Sequence, residues 1–379
     1  MKKEKVIVGL SGGVDSAVSA YLLKEQGYDV EGLFMRNWDS AANQDILGNP
    51  NDPNAPCPQE QDYQDALKIA EHLGIKLHRH DFIKEYWDYV FTYFIDEYNK
   101  NRTPNPDILC NKYVKFAGFQ SVAKSLGADY FAYGHYARRR TEDGQHYLLR
   151  GLDDNKDQSY FLSQLSQEQL SRSLFPVGEI TKKEVRQIAK EQNIPTYDKK
   201  DSTGICFIGE RDFKEFLKNY IFTKPGNIET TEGDVIGQHE GLMYYTIGQR
   251  KGLEIGGLKD YPNAPWFVIG KDIKRNVLLA GQGKHHPLLF ANRVIVEDVH
   301  WIGPNKFKGQ FECQAKFRYR QNDQTVIIQW LNDTDVEVIS NHPIKAVTPG
   351  QAAVFYQGEL CLGGGVIKAS YQNNKKLMY

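Results

Sequence analysis

The sequence predicts an α/β fold: a doubly wound parallel sheet, then a small connector domain and a C-terminal β-barrel. Strand and helix patterns alternate from residue 1 to about residue 215, and repeated β-α units form parallel sheets with helices on both faces. From about residue 290, short β-branched and aromatic runs follow one another closely, which is typical of an antiparallel barrel or sandwich. Because 379 residues are too many for one ordinary core, we predict domains at 1–215, 216–288 and 289–379.

The N-terminal domain begins with three strand patterns, KVIVGL, DVEGLFM and KLHRHDF, separated by helix patterns. Helices are predicted from Ala17 to Gln26 and from Asp62 to Leu73, and Gly27 and Gly74 suit their C-terminal ends. The segment Arg36–Gln59 is rich in Asn, Asp and Pro, which predicts a loop. These elements form the first half of the predicted sheet.

The alternation continues with helices predicted at Lys84–Tyr98 and Lys112–Leu126 and a strand at ADYFAYGHY. Between the two helices, NRTPNPDILC contains two prolines, and we expect it not to form regular helix. Ligands of such sheets bind beyond the carboxyl ends of the strands, where Ser11–Ser16 and Gly134–His135 are both expected to lie.

After about residue 215, glycine turns separate short strands, as in EGDVIGQHEGLMYYTIGQRKGL. The barrel strands are predicted in NRVIVEDVHWI, FECQAKFRYR, QTVIIQWL, DVEVIS and QAAVFYQGELCLGGGVI. KFRYRQ interleaves basic and aromatic residues on a predicted strand, which suits phosphate contact and base stacking, and ARRR at Ala137–Arg140 is a second basic cluster. The alternative for both is an exposed polar strand or turn.

Composition narrows the classes of protein. No apolar run is long enough to span a membrane, and the N-terminus lacks the long apolar region of a signal peptide, so we expect a cytoplasmic protein. The five cysteines include no C-x-x-C pair, which argues against a zinc ribbon. Their odd number without a secretory signal indicates reduced cytoplasmic thiols. The net charge of −1 means that any nucleic-acid binding must use local patches.

The segment SGGVDS, directly after the first predicted strand, predicts an anion-binding loop. It lacks the Lys of the Walker pattern. Gly12 and Gly13 allow the backbone to approach phosphate at the positive end of the following helix, where Ser11 and Ser16 can donate. Asp15 would repel phosphate, so we assign it to a bridging Mg²⁺. The alternative is a tight strand-helix turn in which Asp15 caps the helix.

Two cysteines lie in glycine- or proline-framed segments. Cys110 follows TPNPDIL at the expected start of a helix, and Cys206 lies between Gly204 and Gly209 near two lysines. Helix N-termini and neighbouring cations raise the thiolate fraction of a cysteine, so both are candidate nucleophiles. The alternative is that each is a small buried apolar residue.

The motifs GLSGGVDS, PNPDILCNKYVKF, GHYARR, KDQSYFL, DSTGICFIGER and TIGQRKGL together resemble those of the tRNA-specific 2-thiouridylase family. SGGVDS by itself resembles the pyrophosphate-binding motif of the ATP pyrophosphatases, whose catalytic fold is adenine-nucleotide hydrolase-like. The resemblance runs from about Val6 to Gly365. It implies that ATP adenylates the carbon-2 oxygen of the wobble uridine in some tRNAs, and that sulfur then replaces this oxygen.

The resemblance also implies roles for individual residues. Cys206 would receive persulfide sulfur from a donor, a cysteine desulfurase or a relay protein. Cys110 would attack the persulfide or its product to release the sulfur, ending in a Cys110–Cys206 disulfide, and Asp107 is the candidate acid/base beside the uracil. The residues expected to bind ATP are Gly9, Leu10, Ser11, Gly12, Gly13, Val14, Asp15, Ser16, Met35 and Gly134.

An enzyme that alters a base must remove it from the stack, and Asn105-Pro106-Asp107 resembles the element that holds the flipped base. The other residues expected to contact tRNA by resemblance are His135, Lys156, Asp157, Gln158, Arg318, Tyr319 and Gln351. His135 could equally be a histidine at the edge of the core.

Three alternatives remain open from the sequence. One is another ATP pyrophosphatase that forms an amide on a small acceptor, and a second is a non-enzymatic tRNA-binding sulfur relay. The third is an iron–sulfur cluster held by Cys57, Cys110 and Cys206.

Overall fold

The structure is a computed structural model that describes residues 3–45, 58–201, 204, 208, 212–303 and 309–379. Its helices are α1 (Val14–Glu25), α2 (Pro58–Leu73), α3 (Ile83–Tyr86), α4 (Thr92–Asn99), α5 (Pro106–Leu109), α6 (Phe119–Ser125), α7 (Gln167–Ser171), α8 (Lys182–Glu191) and α9 (Phe213–Lys218). The π-helical segments Trp87–Phe91 and Cys110–Gly118 join α3 to α4 and α5 to α6. Within these described residues, no helix has the length and apolar character needed to cross a membrane.

The strands fall into three sheets. They are β1 (Lys5–Gly9), β2 (Asp29–Arg36), β3 (Leu77–Asp81), β4 (Tyr130–Ala132), β5 (Ala137–Glu142), β6 (Gln145–Arg150), β7 (Ser173–Leu174), β8 (Gly226–Glu229), β9 (Val235–His239), β10 (Trp266–Asp272), β11 (Val277–Gln282), β12 (Phe290–Trp301), β13 (Phe311–Lys316), β14 (Gln324–Trp330), β15 (Val336–Lys345), β16 (Ala352–Gln357), β17 (Leu360–Gln372) and β18 (Lys375–Lys376).

The N-terminal domain contains a five-stranded parallel sheet in the order β3-β2-β1-β4-β7. Alternate residues of β1 face opposite sides of it: Val6 and Val8 belong to one hydrophobic cluster with α1 and α2, and Ile7 belongs to another with Phe119 of α6. Because a strand buried on both faces needs apolar residues throughout, the continuous run in β1 is explained. The predicted doubly wound arrangement is confirmed.

The C-terminal barrel is closed by β12, which pairs with both β15 and β17. Around the barrel the order is β12-β15-β14-β13-β16-β17, with antiparallel neighbours throughout. The hairpin of β5 and β6 extends this sheet, because β6 pairs with β17. The connector contains a four-stranded sheet in the order β10-β11-β8-β9. The predicted fold class of three parts is therefore confirmed.

The expectation that NRTPNPDILC forms no regular helix is wrong for its second half. Helix α5 begins at Pro106 and continues without interruption into the segment that contains Cys110. Proline at the first helical position loses no intrahelical hydrogen bond, because that N–H has no partner in a helix. Asn105 caps this helix, and its side-chain oxygen accepts a hydrogen bond from the Asp107 N–H at 3.2 Å. Cys110 consequently lies inside the helix and not at its N-terminus.

The predicted placement of KFRYRQ on a strand is also only partly right. Strand β13 ends at Lys316, and residues 317–321 form bends and a turn. In the turn, the Phe317 N–H donates to the side-chain oxygen of Gln321 at 3.0 Å. The basic cluster ARRR does lie on a strand, β5, where Arg138 donates to Glu359 and Arg139 to backbone carbonyls. The guanidinium groups of Arg138 and Arg139 are therefore hydrogen-bonded to other groups of the protein.

Candidate active site

A cavity of about 490 Å³ lies beyond the carboxyl edge of the parallel sheet. Two segments expected at this edge, Ser11–Ser16 and Gly134–His135, both contribute to its wall. The other residues of the wall include Met35, Asp107, Asn111, Lys115, Tyr136, Lys156, Gln158, Lys199, Asp201, Gly204, Tyr319 and Arg320. The N-terminal domain and one turn of the barrel therefore share a single cavity.

The loop between β1 and α1 depends on a glycine in the left-handed region. Gly12 has φ of +77°, and a Cβ atom there would lie 2.4 Å from the Asp62 carbonyl oxygen. Ser16 stabilises the turn, since its hydroxyl accepts from the Ser11 N–H at 3.2 Å and donates to the Gly13 carbonyl at 3.0 Å. The resulting turn directs the first backbone N–H groups of α1 toward the cavity, as anion binding requires.

Gly134 brings the end of the β4 strand segment against this loop. A Cβ atom at Gly134 would lie 2.8 Å from the Ser16 nitrogen and 2.9 Å from the Asp15 carbonyl carbon. Any side chain at this position would push the two walls of the cavity apart.

Asp15, in the first turn of α1, is held by two donors to the same oxygen. Its Oδ1 accepts from the Tyr136 hydroxyl at 2.7 Å and from the Lys182 ammonium at 2.6 Å. Burial and the Asp15 carboxylate both raise the pKa of Tyr136, which therefore stays a neutral donor. Lys182 is the first residue of α8, fixed by a capping box of Thr181 and Glu184. The cation absent from the loop sequence is thus supplied by a different helix.

A second carboxylate, Asp201, shares the same lysine. It accepts from Lys182 at 2.8 Å, Lys156 at 2.7 Å and Arg186 at 2.8 Å. Burial opposes its ionisation, but the hydrogen bonds from Lys156 and Lys182 outweigh burial and lower the pKa of Asp201 to about 2. The network of Asp15, Lys182 and Asp201 links the loop between β1 and α1 to the segment after α8.

Lys199 reaches the other side of the loop. Its ammonium donates to Asp62 at 2.8 Å, to Asp65 at 2.7 Å and to the Gly12 carbonyl at 3.3 Å. Lys199 is one of the two lysines near Cys206 in the sequence, and its effect on that thiol stays a prediction because Cys206 lies outside the described residues. In the structure this lysine is bound to the carboxylates of α2. Sequence reasoning missed these roles of Lys182, Asp201 and Lys199. The capping box could have predicted where α8 begins, but not what Lys182 contacts.

Cys110 and Asp107 lie on the same continuous helix but in different surroundings. Asp107 lines the cavity, whereas Cys110 is fully buried with 0% exposure. Burial raises the pKa of Cys313 and of Cys361 to about 12, which makes those two thiols unreactive. Cys206 and Cys57 lie outside the described residues, so the Cys110–Cys206 disulfide and the cluster alternative stay predictions.

His135 is a buried member of the cavity wall. Burial, helped by the charge of Lys115, holds its pKa well below its usual range. The imidazole packs near Phe116, with ring centroids 5.8 Å apart. A neutral histidine here can donate or accept one hydrogen bond at a bound base.

The other residues expected to contact tRNA fall into two groups. Lys156, Gln158 and Tyr319 line the cavity. In contrast, Asp157 is 5% exposed and accepts from the Gly151 and Ser159 N–H groups.

Arg318 and Gln351, in this second group, are also bonded within the protein. Arg318 donates to the Ile247 carbonyl and the Thr348 hydroxyl, both at 2.7 Å. Gln351 donates to the Thr103 and Pro104 carbonyls. Contact with tRNA stays a prediction for the residues of both groups.

Three family matches cover most of the chain. Residues 4–210 match the tRNA methyl transferase HUP domain and residues 214–282 the tRNA methyl transferase PRC-barrel domain. Residues 291–367 match the aminomethyltransferase beta-barrel domain.

Curated relatives match over nearly the whole length. The chain is 52% identical over 375 residues to the tRNA-specific 2-thiouridylase MnmA of Bacillus cereus strain ATCC 14579, covering 99% of this chain and 97% of that protein. It is 56% identical over 366 residues to the protein of the same name from Shewanella oneidensis strain MR-1, covering 96% of each.

Among solved structures, one similar chain is a 4-thiouridine synthetase–RNA complex with bound ATP, at 14% identity and a TM-score of 0.33. The similarity covers 55% of this chain and 46% of that one. A TM-score this low carries no argument about function.

Replacing Lys182 by alanine should weaken ATP binding by about tenfold or more, because a charge-assisted contact is worth about 1.5–3 kcal/mol and Asp15 would face the phosphates without its cation. Equilibrium titration of the full-length protein with ATP measures this. Lys183→Ala is the matched control, since Lys183 is the next residue of α8 and is exposed. Equal ATP affinity in the two variants would show that Lys182 does not contribute to ATP binding.

Proposed function

The chain belongs to the tRNA-specific 2-thiouridylase family, and we propose that the cavity described above carries out both halves of the reaction. The protein is an ATP-using tRNA-uridine 2-sulfurtransferase. The observation that carries this conclusion is identity of 52% and 56% to two such enzymes over almost the entire chain. The matching domain families carry names that refer to methyl transfer, but one fold supports many chemistries. The high identity to the two 2-thiouridylases is therefore the stronger evidence.

In the first half, the carbon-2 oxygen of the wobble uridine attacks the α-phosphorus of ATP. An O–P bond forms, and pyrophosphate leaves with the electron pair of the broken bond. The segment Gly9–Ser16 at the N-terminus of α1 binds the departing pyrophosphate, and Lys182 offsets its charge. Met35 and Gly134, at strand ends in the cavity wall, lie beside the adenosine.

The residues present fit a Mg²⁺ ion that is held mainly by phosphate. Among the described residues no group of three or more His, Cys, Asp or Glu side chains could form a metal site. Mg²⁺ commonly takes one or two carboxylates and completes its coordination with phosphates and water. Asp15 is the carboxylate in the right place, with Lys182 and Tyr136 both on its Oδ1. Bound there, Mg²⁺ would neutralise charge on the pyrophosphate leaving group.

In the second half, the terminal sulfur of a Cys206 persulfide attacks carbon 2, and AMP leaves with its oxygen. The Cys110 thiolate then attacks the Cys206 sulfur, which breaks the persulfide S–S bond and leaves sulfur on the base. A Cys110–Cys206 disulfide results, and an external thiol reductant restores both thiols. Asp107 moves a proton at the uracil in this proposal, which is supported by its position in the cavity wall and on the same helix as Cys110.

The base enters between the N-terminal domain and the barrel. The turn after β13 contributes Tyr319 and the exposed Arg320 to the cavity wall, and the Tyr319 ring lies 4.4 Å from that of Phe161. Aromatic faces and arginines are the groups that recognise unstacked RNA bases. Asn105, Pro106, His135, Lys156 and Gln158 are the other contacts in this proposal, together with Asp157, Arg318 and Gln351.

In this proposal the chain is divided into three domains, at 1–215, 216–288 and 289–379. The proposal also requires a persulfide donor, either a cysteine desulfurase or a relay protein, in the cytoplasm where tRNA and ATP are available.

Asp15→Ala should abolish ATP-dependent formation of 2-thiouridine, because the variant cannot hold the metal at the pyrophosphate. In the wild type, AMP and pyrophosphate should form with each 2-thiouridine. Mass spectrometry of wobble nucleosides, with tRNA, ATP, Mg²⁺ and a persulfide donor, measures the product. Asp29→Ala, an exposed carboxylate at the start of β2, is the control. ADP and phosphate as the main products, or no 2-thiouridine, would contradict the proposed function.

Cys206→Ser should lose persulfide loading and thiolation but still accumulate adenylated tRNA, because adenylation needs neither thiol. Cys110→Ser should accept labelled sulfur but fail in multiple turnovers. Cys313→Ser is the control, since that thiol is buried and has a raised pKa. If Cys110→Ser cannot be loaded while Cys206→Ser can, the two roles are reversed.

Arg320→Ala should weaken tRNA binding and reduce the slope of log affinity against log salt by about 1, as expected when one phosphate contact is lost. Arg318→Ala should also weaken tRNA binding and, unlike Arg320→Ala, should lower the unfolding temperature, because Arg318 ties Ile247 of the connector to Thr348 of the barrel. A salt series of binding measurements and a thermal scan separate the two. A reduced slope in Arg318→Ala alone would assign the phosphate contact to that residue.

A further inference from the structure

The segment Asn101–Pro104, here called the strap, connects α4 to α5. The connector domain and the barrel both form hydrogen bonds with it. The strap begins with Asn101 in the left-handed region, at φ of 59°. Helix α5, with Asp107, starts directly after it, and the same continuous helix contains Cys110. Any shift of the strap therefore moves the start of the helix that carries both groups.

On the barrel side, the loop before β16 binds the strap backbone. The Thr103 N–H donates to the Pro349 carbonyl at 3.0 Å. The Gln351 amide donates to the Thr103 carbonyl at 2.8 Å and to the Pro104 carbonyl at 3.3 Å. Arg102 lies 3.3 Å from the carboxylate of Glu297 on β12. The barrel thus satisfies most of the backbone polar groups in the second half of the strap.

On the connector side, a single buried lysine holds the first residue of the strap. The Lys271 ammonium, on β10, donates to the Asn101 carbonyl at 2.8 Å, and the residue is 4% exposed. Within the described part of the chain it has no ion pair with a carboxylate, and burial lowers its pKa to about 7. Burying the amine of a lysine costs free energy, and the hydrogen bond to the Asn101 carbonyl compensates for only part of this cost. This cost argues that the Lys271–Asn101 hydrogen bond has a role in the protein.

The backbone of Lys271 is fixed independently of its side chain. Its N–H donates to the Met378 carbonyl at 2.7 Å, and the residue pairs with Leu278 of β11. The connector strand therefore keeps its position when the side chain changes. This separates the effect of the Lys271–Asn101 contact from the effect of unfolding the sheet.

We infer that Lys271 is a positioning residue for the reaction: through the strap, the connector domain sets the position of the helix that carries Asp107 and Cys110. The inference rests on the proposed function for the roles of those two groups. The lysine touches neither substrate nor reacting atoms, and it acts only by holding Asn101. A helix displaced by about 1 Å at a catalytic group is enough to cost about a hundredfold in rate.

The test compares Lys271→Met, which keeps the length of the side chain but not the donor, with Lys274→Met, an exposed lysine in the turn between β10 and β11. Lys271→Met should lower kcat for 2-thiouridine by about tenfold or more while the KM for tRNA and the affinity for ATP change less than about threefold. Alkylation of Cys110 by a small thiol reagent, followed by peptide mapping, should become about tenfold faster or more, because a loosened strap opens this buried site. Lys274→Met should behave as wild type, and Lys271→Arg, which retains a donor, should recover most of the kcat.

Unchanged kcat and unchanged Cys110 alkylation in Lys271→Met would overturn the inference. Equal losses in tRNA affinity and kcat/KM with Cys110 still protected would overturn it too, since Lys271 would then act in tRNA binding. If Lys271→Met does not fold, hydrogen exchange decides with Lys271→Gln, a polar side chain too short to keep the contact with the Asn101 carbonyl. Slower or equal exchange than in the wild type throughout the peptide 100–110 would contradict a strap that responds to this side chain, and faster exchange there alone would support it. Wild-type protein that makes no 2-thiouridine would remove the proposed function, but the alkylation and exchange results would still test the strap.

Discussion

The ammonium of Lys182 lies between two carboxylates, and the arrangement of the cavity depends on it. Asp15 occupies the first turn of α1, and Asp201 is the second carboxylate that contacts this lysine. Two anions at this separation repel each other strongly unless a cation lies between them. Lys182 contacts Asp15 at 2.6 Å and Asp201 at 2.8 Å. The neutral hydroxyl of Tyr136 also donates a hydrogen bond to Asp15. A Walker loop contains its own lysine. In this protein the lysine beside the loop between β1 and α1 comes from α8.

The three cysteines in the described part of the chain are all buried, but they lie in different surroundings. Cys313 and Cys361 lie among barrel and interdomain contacts, where apolar surroundings keep them protonated. Cys110 is equally buried, but its helix also contributes Asp107 and Asn111 to the cavity wall. In the proposed mechanism Cys110 is a nucleophile, and its burial protects the thiol from unintended oxidation until its helix moves. This makes the fixed position of that helix part of the chemistry.

The sequence predicted the elements that have a local pattern. The buried run of β1, the loop after it, the amphipathic α2 and the short barrel strands are all read from periodicity and glycine spacing. It did not predict α5, because proline at the first helical position looks like a helix breaker when the helix start is unknown. It placed KFRYRQ on a strand, since alternation continues in the sequence past Lys316, where the strand ends. Nor could it pair Lys182 with Asp15, 167 residues away, because no local pattern encodes a contact between distant elements.

The pairing of β6 with β17 has a consequence for biosynthesis. Arg138, beside this pairing, bonds to Glu359, 221 residues later in the chain. While the ribosome is still making the barrel, the β5–β6 hairpin therefore has an open edge whose backbone groups have no strand to pair with. Such edges are templates for association with other chains, and long-range pairing is slow to form. The hairpin of the nascent protein therefore needs protection from association until β17 is made, and a chain that terminates before β17 would leave this edge of β6 open.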